Sequence, residues 1–364
     1  MAEKVLMKGN EAIAEAAIRA GCQCFFGYPI TPQNELIEYM ARELPKAGGT
    51  FLQCESEIGA INMVFGASSA GVRAMTSSSS PGISLKQEGI SYIAGAQLPA
   101  VIVNIVRCGP GLGGILPSQS DYFQSTRSGG HGDYRLLVLA PNSVQELADL
   151  TVLAFEKADE YRNPVMILGD GILGQMMEPV VLPEVTSSKV DKPWATTGKG
   201  DRSQCNLVSS LFLNPEELEQ HNLLLQSKYK KMKEQDTRWE SYLTEDAEII
   251  IVAYGSAARL SMAAVNMARQ QGLKVGLIRP ITLFPFPEQP IREAAEKGTP
   301  FLAVELSTGQ MVEDVRLSVE GRSPVYFYGR CGGVVPDPKE ILEQLILRLR
   351  SQEGLKKGTK GGAA

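Results

Sequence analysis

The sequence contains no long hydrophobic run, although 43% of its 364 residues are hydrophobic. No stretch approaches the roughly 20 apolar residues that a membrane-spanning helix needs. Residues 1–4 lead directly into a globular pattern, without the apolar segment of a secretion signal. We therefore expect a cytoplasmic protein that stays out of the membrane and has enough apolar residues for a large core.

An excess of positive charge is also missing. The chain has 36 Lys and Arg residues against 41 Asp and Glu residues, which gives a net charge of −5. No stripe of basic residues interleaved with aromatic residues occurs, so the sequence argues against a nucleic-acid partner.

Clustered metal ligands are absent as well. Among the six cysteines only Cys22 and Cys24 are close in sequence, and iron–sulfur or zinc sites need recurring short spacings of four ligands. The two histidines, His131 and His221, have no neighbours that would indicate a metal site or a catalytic triad. The cysteines are therefore expected to be reduced thiols in the interior of a cytosolic protein.

What the sequence does contain is an alternation of short apolar strands and helical patterns. Near-continuous apolar strands in a βα alternation are typical of a parallel sheet covered on both faces. The sequence therefore predicts an α/β domain over residues 1–183. Its predicted strands are residues 24–26, 50–54, 72–76, 101–106, 136–139 and 165–168.

The alternation stops at a polar connector, residues 184–244, which includes a charged helical stretch at 215–242. A second and smaller α/β domain is predicted over 245–350. The Gly- and Lys-rich tail, 351–364, is expected to be disordered. The predicted strands of the second domain are residues 249–254, 274–278, 300–304 and 324–328.

A stiff turn, Gly-Tyr-Pro-Ile-Thr-Pro at residues 27–32, follows the first strand. Thr31 is a good helix N-cap, and Pro32 suits the first helical position. A helix N-terminus at the carboxyl end of a strand can hold an anion. A capped helix without a binding role is the alternative, and this segment alone favours that alternative.

Two further loops at predicted strand ends carry chemical groups. Glu57 begins a helix of small and apolar residues, where partial burial would favour its protonated form and make it a candidate proton donor. Arg107 follows another strand and offers a donor fork suited to a carboxylate. With Thr31, these residues could hold a small organic acid. The alternatives are helix-dipole stabilisation by Glu57 and a surface salt bridge for Arg107.

The order and spacing of several motifs resemble the α subunit of thiamine-diphosphate-dependent 2-oxoacid:ferredoxin oxidoreductases. Each motif alone is weak, but together they are specific and cover nearly the whole chain. The resemblance implies a pyrimidine-binding parallel-sheet domain, then a smaller domain like the transketolase C-terminal domain. The motifs are residues 27–32, 56–60, 76–82, 107–113, 305–314 and 328–333.

The resemblance also implies roles for individual residues. Glu57 would hydrogen-bond the aminopyrimidine ring of thiamine diphosphate and promote its reactive tautomer, with Pro29 in the same cofactor site. Thr31 and Arg107 would bind the carboxylate of the 2-oxoacid. The other substrate-pocket residues are expected to be Tyr28 and Ile30.

The metal and the clusters are expected on other chains. Gly169-Asp170-Gly171 is similar to the opening of a diphosphate and Mg²⁺ signature, but the closing asparagine is missing from residues 195–201, and Asn206 comes late. We therefore expect the diphosphate and Mg²⁺ on a β subunit, and no metal ligand here. The resemblance implies further partners: a γ subunit, a ferredoxin-like δ subunit or domain with [4Fe–4S] clusters, and external ferredoxin, in a dimer of heteromers.

The implied reaction is coenzyme A-dependent oxidative decarboxylation of a 2-oxoacid to acyl-CoA and CO2, with reduction of ferredoxin. Residues 109–124 are most similar to enzymes for branched-chain acids such as 3-methyl-2-oxobutanoate, with 2-oxoglutarate as the alternative. A transketolase-like transferase and a non-catalytic scaffold are more remote alternatives. Cys108 and Cys331 replace small residues, and packing is favoured over a redox role. The exact acid, the direction and the stoichiometry stay open.

Overall fold

Two largely parallel sheets organise the chain. The computed structural model describes residues 4–185 and 190–360, with side chains to residue 350. Within these ranges, no helix is both long enough and apolar enough to cross a membrane. The elements up to residue 180 are β1 (Val5–Lys8), α1 (Gly9–Arg19), β2 (Cys24–Gly27), α2 (Asn34–Glu43), β3 (Thr50–Gln53), α3 (Glu57–Ser69), β4 (Ala74–Ser78), α4 (Pro81–Gly95), β5 (Ala100–Val106), α5 (Tyr122–Thr126), β6 (Leu137–Leu139), α6 (Val144–Tyr161), β7 (Pro164–Asp170), α7 (Gly171–Gln175) and β8 (Met177–Val180).

The remaining elements follow a long connection after β8. They are α8 (Pro215–Gln235), β9 (Trp239–Tyr242), β10 (Ile249–Val252), α9 (Gly255–Gln270), β11 (Val275–Pro280), β12 (Thr282–Phe284), α10 (Glu288–Glu296), β13 (Phe301–Glu305), α11 (Met311–Val319), β14 (Val325–Gly329) and α12 (Pro338–Lys360). Helix α12 continues past Arg350, where the sequence predicts a disordered tail. Residues 361–364 of that predicted tail lie outside the described residues.

The first sheet has seven strands in the order β12-β6-β7-β5-β4-β2-β3. All neighbours are parallel except β12, which runs antiparallel to β6. Every residue of the central strand β5 is buried, which explains its unbroken apolar run. The predicted α/β fold is confirmed.

The second sheet has five strands in the order β14-β13-β10-β11-β9. Strand β9 lies antiparallel to β11, with Tyr242 opposite Leu277. The predicted helical stretch at 215–242 is therefore wrong beyond Gln235, because pairing with a distant strand overrides the local charged pattern. Strand β12 was also missed, since its pairing with the first sheet joins residues far apart in sequence.

The predicted helix cap at Thr31 is also wrong. Helix α2 begins at Asn34 rather than at Pro32, so Thr31 lies in the turn before the helix and does not cap it. Asn10 lies inside α1. Its buried side-chain amide donates to the main-chain oxygen of Pro32 at 2.9 Å. The turn at residues 27–32 is therefore held by a neighbouring helix.

Gln119 joins the two sheets. Its side chain is 2% exposed, and its Nε2 donates to the main-chain oxygen of Tyr254 at 2.8 Å. Its Oε1 accepts from the main-chain nitrogen of Leu306 at 2.9 Å. Both ends of one amide are thus used by the second sheet, and an apolar cluster containing Ile102 and Ile250 continues across the same boundary.

We predict that Gln119→Ala lowers the free energy of unfolding by roughly 2–4 kcal/mol, because it leaves two buried main-chain groups unpaired. Chemical denaturation followed by circular dichroism measures this change. Gln289→Ala, at an exposed helical position, is the matched control and should have little effect. Equal stability of the two variants would show that Gln119 does not hold the sheets together.

Candidate functional site

The loops after β2, β4 and β5 meet at one edge of the first sheet. The guanidinium Nη1 of Arg107 donates to the main-chain oxygen of Thr31 at 3.0 Å. The Ser80 hydroxyl, in the loop after β4, accepts from the main-chain nitrogen of Arg107 at 3.0 Å. Because the carboxyl ends of parallel strands share an edge, ligands in such folds bind here.

Arg107 is buried, with 7% of its surface exposed. Its Nη2 donates to the main-chain oxygen of Leu112 at 3.1 Å, and its Nε is buried without a hydrogen-bond partner. Neither contact supplies a negative charge, so the alternative of a surface salt bridge is wrong. A buried cation held only by carbonyl groups is well prepared to bind an anion.

Glu57 is the first residue of α3 and is 6% exposed. The hydroxyl of Ser56 caps this helix by accepting from the main-chain nitrogen of Gly59 at 3.1 Å. Gly82, near the start of α4, leaves room for the carboxyl group, since a Cβ there would lie 2.6 Å from Glu57 Oε1. Both residues thus lie against the start of α4, with Glu57 beside Gly82 and Arg107 bonded to Ser80.

Lys86 is a functional candidate that the sequence reasoning missed. Its side chain is fully buried, and its Nζ donates to Thr76 Oγ1 at 2.7 Å and to the main-chain oxygen of Ser77 at 2.9 Å. Burial lowers its pKa to about 7, while the charge of Glu57 acts in the opposite direction. The helical stripe through Ile83 and Ile90 includes position 86, so periodicity could have revealed a lysine on the buried face.

Several buried polar atoms at this edge have no partner within the described chain. They include Gln33 Nε2, Ser78 Oγ and Ser79 Oγ, and all three side chains are fully buried. Buried polar groups in proteins are normally hydrogen-bonded. Unpaired donors beside a buried carboxyl and a buried guanidinium indicate a binding site for a polar ligand.

Two cavities open beside Arg107 and Thr31. Thr31 lines a cavity of about 370 Å³ together with Ile115, Leu116 and Pro117. Arg107 lines another cavity of about 500 Å³ between the two sheets, and Cys108 and Cys331 line the same cavity. The structure thus places Thr31 and Arg107 in contact, and each lines one of two cavities.

Asp121 is a second residue of this site that the sequence did not reveal. It lines the same cavity as Arg107 and accepts a 2.8 Å hydrogen bond from the buried amide of Asn104. Burial raises the pKa of Asp121, and the bonds from Asn104 and Ser80 oppose that shift. Asn104 also accepts from the main-chain nitrogen of Ser80 at 3.1 Å, which ties this carboxyl to the start of α4.

The other predicted site residues lie around the turn. Tyr28 and Pro29 are exposed, and Ile30 is half-buried. None of the three lines the cavities of Thr31 and Arg107. Their roles in substrate or cofactor binding stay predictions.

Asp170 has a structural role inside the chain. Its Oδ1 caps α7 by accepting from the main-chain nitrogens of Ile172 and Leu173 at 2.9 and 3.2 Å. The same oxygen accepts from the Ser256 hydroxyl of the second sheet region at 2.8 Å. Burial raises the pKa of Asp170. Among the described residues, no group of three His, Cys, Asp or Glu side chains is placed to hold a metal ion.

Two protein-family models match the chain and together cover most of it. Residues 15–242 match "Pyruvate flavodoxin/ferredoxin oxidoreductase, thiamine diP-binding". Residues 247–341 match "Pyruvate:ferredoxin oxidoreductase core domain II".

Curated relatives are similar over nearly their full length. The chain is 53% identical to ketoisovalerate oxidoreductase subunit VorB of Methanothermobacter marburgensis, covering 93% of this chain and 96% of the relative. It is 38% identical to 2-oxoglutarate synthase subunit KorA of Methanothermobacter thermautotrophicus, covering 95% and 99%. Both relatives are named as subunits of larger enzymes.

Solved structures agree with this relationship. A 2-oxoglutarate:ferredoxin oxidoreductase from Magnetococcus marinus, with 2-oxoglutarate, coenzyme A and succinyl-CoA bound, matches with a TM-score of 0.84 and 26% identity. The match covers 94% of this chain and 65% of that chain. A split-gene transketolase matches with a TM-score of 0.51 and 14% identity, which shows likeness of fold alone.

The resemblance predicted from the motifs is therefore confirmed at the level of the family. The two family models and the 53% identical relative span both sheets and the loops at the carboxyl edge of the first sheet. The chain belongs to the thiamine-diphosphate-binding pyruvate flavodoxin/ferredoxin oxidoreductase family, as a subunit of a 2-oxoacid:ferredoxin oxidoreductase.

Proposed function

We propose that this chain is the α subunit of an enzyme that oxidatively decarboxylates branched-chain 2-oxoacids, with 3-methyl-2-oxobutanoate as the best substrate. The products are acyl-CoA and CO2, and ferredoxin is reduced. The observation that carries the proposal is the buried Arg107 guanidinium beside Thr31, which pairs with no carboxylate in the part of the chain that the structure describes. The name of the 53% identical relative supports the choice of substrate.

Arg107 binds the carboxylate that all 2-oxoacids share. Its contacts with Thr31 and Leu112 fix the plane of the guanidinium and leave Nε and further N–H groups for a ligand. A preset planar fork loses little freedom when it binds a carboxylate. The Thr31 hydroxyl adds a neutral donor from the turn.

The cavity beside Thr31 suits a branched alkyl chain. Ile115, Leu116 and Pro117 supply apolar walls, and no Lys or Arg is among the described residues that line it. Glu35 also lines the cavity and is already paired with Lys8 at 3.0 Å. A second carboxylate, as in 2-oxoglutarate, would find no cation in this cavity.

The residues present fit the aminopyrimidine half of thiamine diphosphate. Glu57 is a buried carboxyl beside a glycine that leaves space, and Gln33 and Ser78 offer unpaired buried polar atoms. When bound, the cofactor supplies the carbanion-stabilising chemistry of decarboxylation. Glu57 holds a proton at a carboxyl oxygen for a ring nitrogen, and Pro29 borders the same site. The chain thus contributes orientation and proton control.

The proposed partners are those that the family resemblance implies. A β subunit carries the diphosphate and Mg²⁺, and a γ subunit and a ferredoxin-like δ subunit or domain with [4Fe–4S] clusters complete a cytoplasmic dimer of heteromers that reduces external ferredoxin. Exposed apolar side chains around Glu57 support a partner that covers this face. They are Leu52, Ile58, Met63 and Leu85.

The domain division belongs to the same proposal. Residues 1–183 form the pyrimidine-binding domain, 184–244 the connector, and 245–350 the domain like the transketolase C-terminal domain. The gap between the two family matches, at residues 243–246, supports a boundary near 245.

The direct test is a substrate screen on the purified complex. We predict that kcat/KM is highest for 3-methyl-2-oxobutanoate and at least about 10-fold lower for 2-oxoglutarate, since the apolar cavity favours an alkyl group over a charged one. Acyl-CoA formation and reduction of ferredoxin measure the rates. Highest activity with 2-oxoglutarate would overturn the assignment of substrate but not of family.

Glu57→Gln keeps the size of the side chain but removes its ionisable proton. We predict that activity falls by at least about 100-fold, as is usual when a general acid–base group is removed. Steady-state kinetics of the complex, with its cofactor content measured, checks this. Glu55→Gln, at an exposed position in the same turn, is the control. Near-normal turnover of the Glu57 variant would remove Glu57 from catalysis.

Arg107→Lys replaces the planar fork with a flexible point charge. We predict that KM rises about 10- to 100-fold for every 2-oxoacid, because one charge-assisted hydrogen bond is worth about 1.5–3 kcal/mol. Thr31→Val should act in the same direction but more weakly. Arg127→Lys, at an arginine paired with Asp314, is the control. A loss confined to 2-oxoglutarate would mean that Arg107 binds a distal carboxylate instead.

A further inference from the structure

Lys86 is a buried positive charge that the proposed reaction leaves unexplained. It lies on the inner face of α4, four residues after Gly82, whose missing Cβ makes room for the Glu57 carboxyl. Its side chain is 0% exposed. We infer that Lys86 is a positioning residue for the reaction, which holds a positive charge behind the Glu57 carboxyl. This inference rests on the proposed role of Glu57.

The position of the ammonium group is fixed by its hydrogen bonds. Nζ donates to Thr76 Oγ1 at 2.7 Å and to the main-chain oxygen of Ser77 at 2.9 Å. The Thr76 hydroxyl donates its own proton to the main-chain oxygen of Phe26 at 2.7 Å, so it can only accept from Lys86. Both acceptors belong to the region of β4, in the middle of the sheet. Lys86 therefore cannot turn toward solvent.

The groups that face Lys86 carry no fixed counter-charge in contact with it. Among the described residues, no carboxylate lies within 4 Å of its ammonium, and the titratable groups that act on it are Glu57 and the Cys54 thiol. Burial lowers the pKa of Lys86 to about 7, and both of these groups oppose that shift. An unpaired buried cation costs stability, and an apolar side chain would fill the same space. Its charge therefore calls for a functional reason.

That reason is the charge balance of Glu57. When the Glu57 carboxyl passes its proton to a nitrogen base placed against it, the oxygen keeps the electron pair and becomes a carboxylate. The nearby Lys86 ammonium lowers the free energy of that carboxylate relative to the acid. Lys86 does not reach the substrate cavities, so it should affect the chemical step more than substrate binding.

The test is a double-mutant cycle in the complete complex with its cofactor. Lys86→Met removes the charge at similar volume. We expect kcat to fall about 10-fold with little change in KM, a size typical of coupling between interacting groups. In the Glu57→Gln background, Lys86→Met should cause no further loss, because the group on which Lys86 acts is gone. A structural role would lower both backgrounds equally.

A second measurement does not depend on activity. Infrared spectra of the cofactor-free complex, carrying ¹³C-carboxyl-labelled glutamate, isolate the Glu57 band by subtraction of the Glu57→Gln spectrum. We expect the Glu57 carboxyl band to shift in Lys86→Met relative to the wild type, because the positive charge near that group is removed. Lys86→Gln keeps a hydrogen-bond donor without charge, and it serves if Lys86→Met fails to assemble.

Lys228→Met is the matched control. Lys228 lies on the connector helix α8. Burial also lowers its pKa to about 7, but its Nζ donates to the main-chain oxygen of Arg162, which is far from Glu57 in the sequence. It should leave kcat and the Glu57 band unchanged. An unchanged Glu57 band in both Lys86 variants, or additive losses in the cycle, would overturn the inference about Lys86. Full activity of Glu57→Gln would instead overturn the proposed function.

Discussion

The buried positive charge of Arg107, which no carboxylate among the described residues pairs with, is the constraint on which this structure depends. The Arg107 guanidinium is held by the main-chain oxygens of Thr31 and Leu112, and its Nε stays unpaired. Carbonyl groups orient the guanidinium without cancelling its charge, so the site keeps its attraction for an anion. The turn after β2 and the loop after β5 must therefore both be in place to hold the guanidinium in this position.

The same loop also joins the two sheets. It begins at Arg107 and reaches Gln119, whose amide bonds to Tyr254 and Leu306 of the second sheet region. Immediately after it, the Tyr122 hydroxyl donates to Asp314 at 2.6 Å. A shift of the second sheet would therefore move the segment that positions the guanidinium. The packing between the two sheets therefore also determines the geometry of the site.

Helix α4 organises the charges on the other side of the site. Its first turn contacts Arg107 through Ser80 and leaves space for Glu57 at Gly82, while Lys86 lies one turn further along its inner face. A buried carboxyl group and a buried ammonium group thus lie on adjacent helices. These groups reduce the stability that apolar residues would provide, which is common at sites that bind a cofactor.

The sequence by itself determined the α/β class, most strands, and the placement of Glu57 and Arg107 at strand ends. These features follow from short apolar runs and their periodicity, which neighbouring residues encode. Tertiary structure alone decided that Thr31 is not a cap, that β12 joins the first sheet, and that Lys86 is buried against β4. Each of these depends on contacts between residues distant in the chain, which local pattern does not encode.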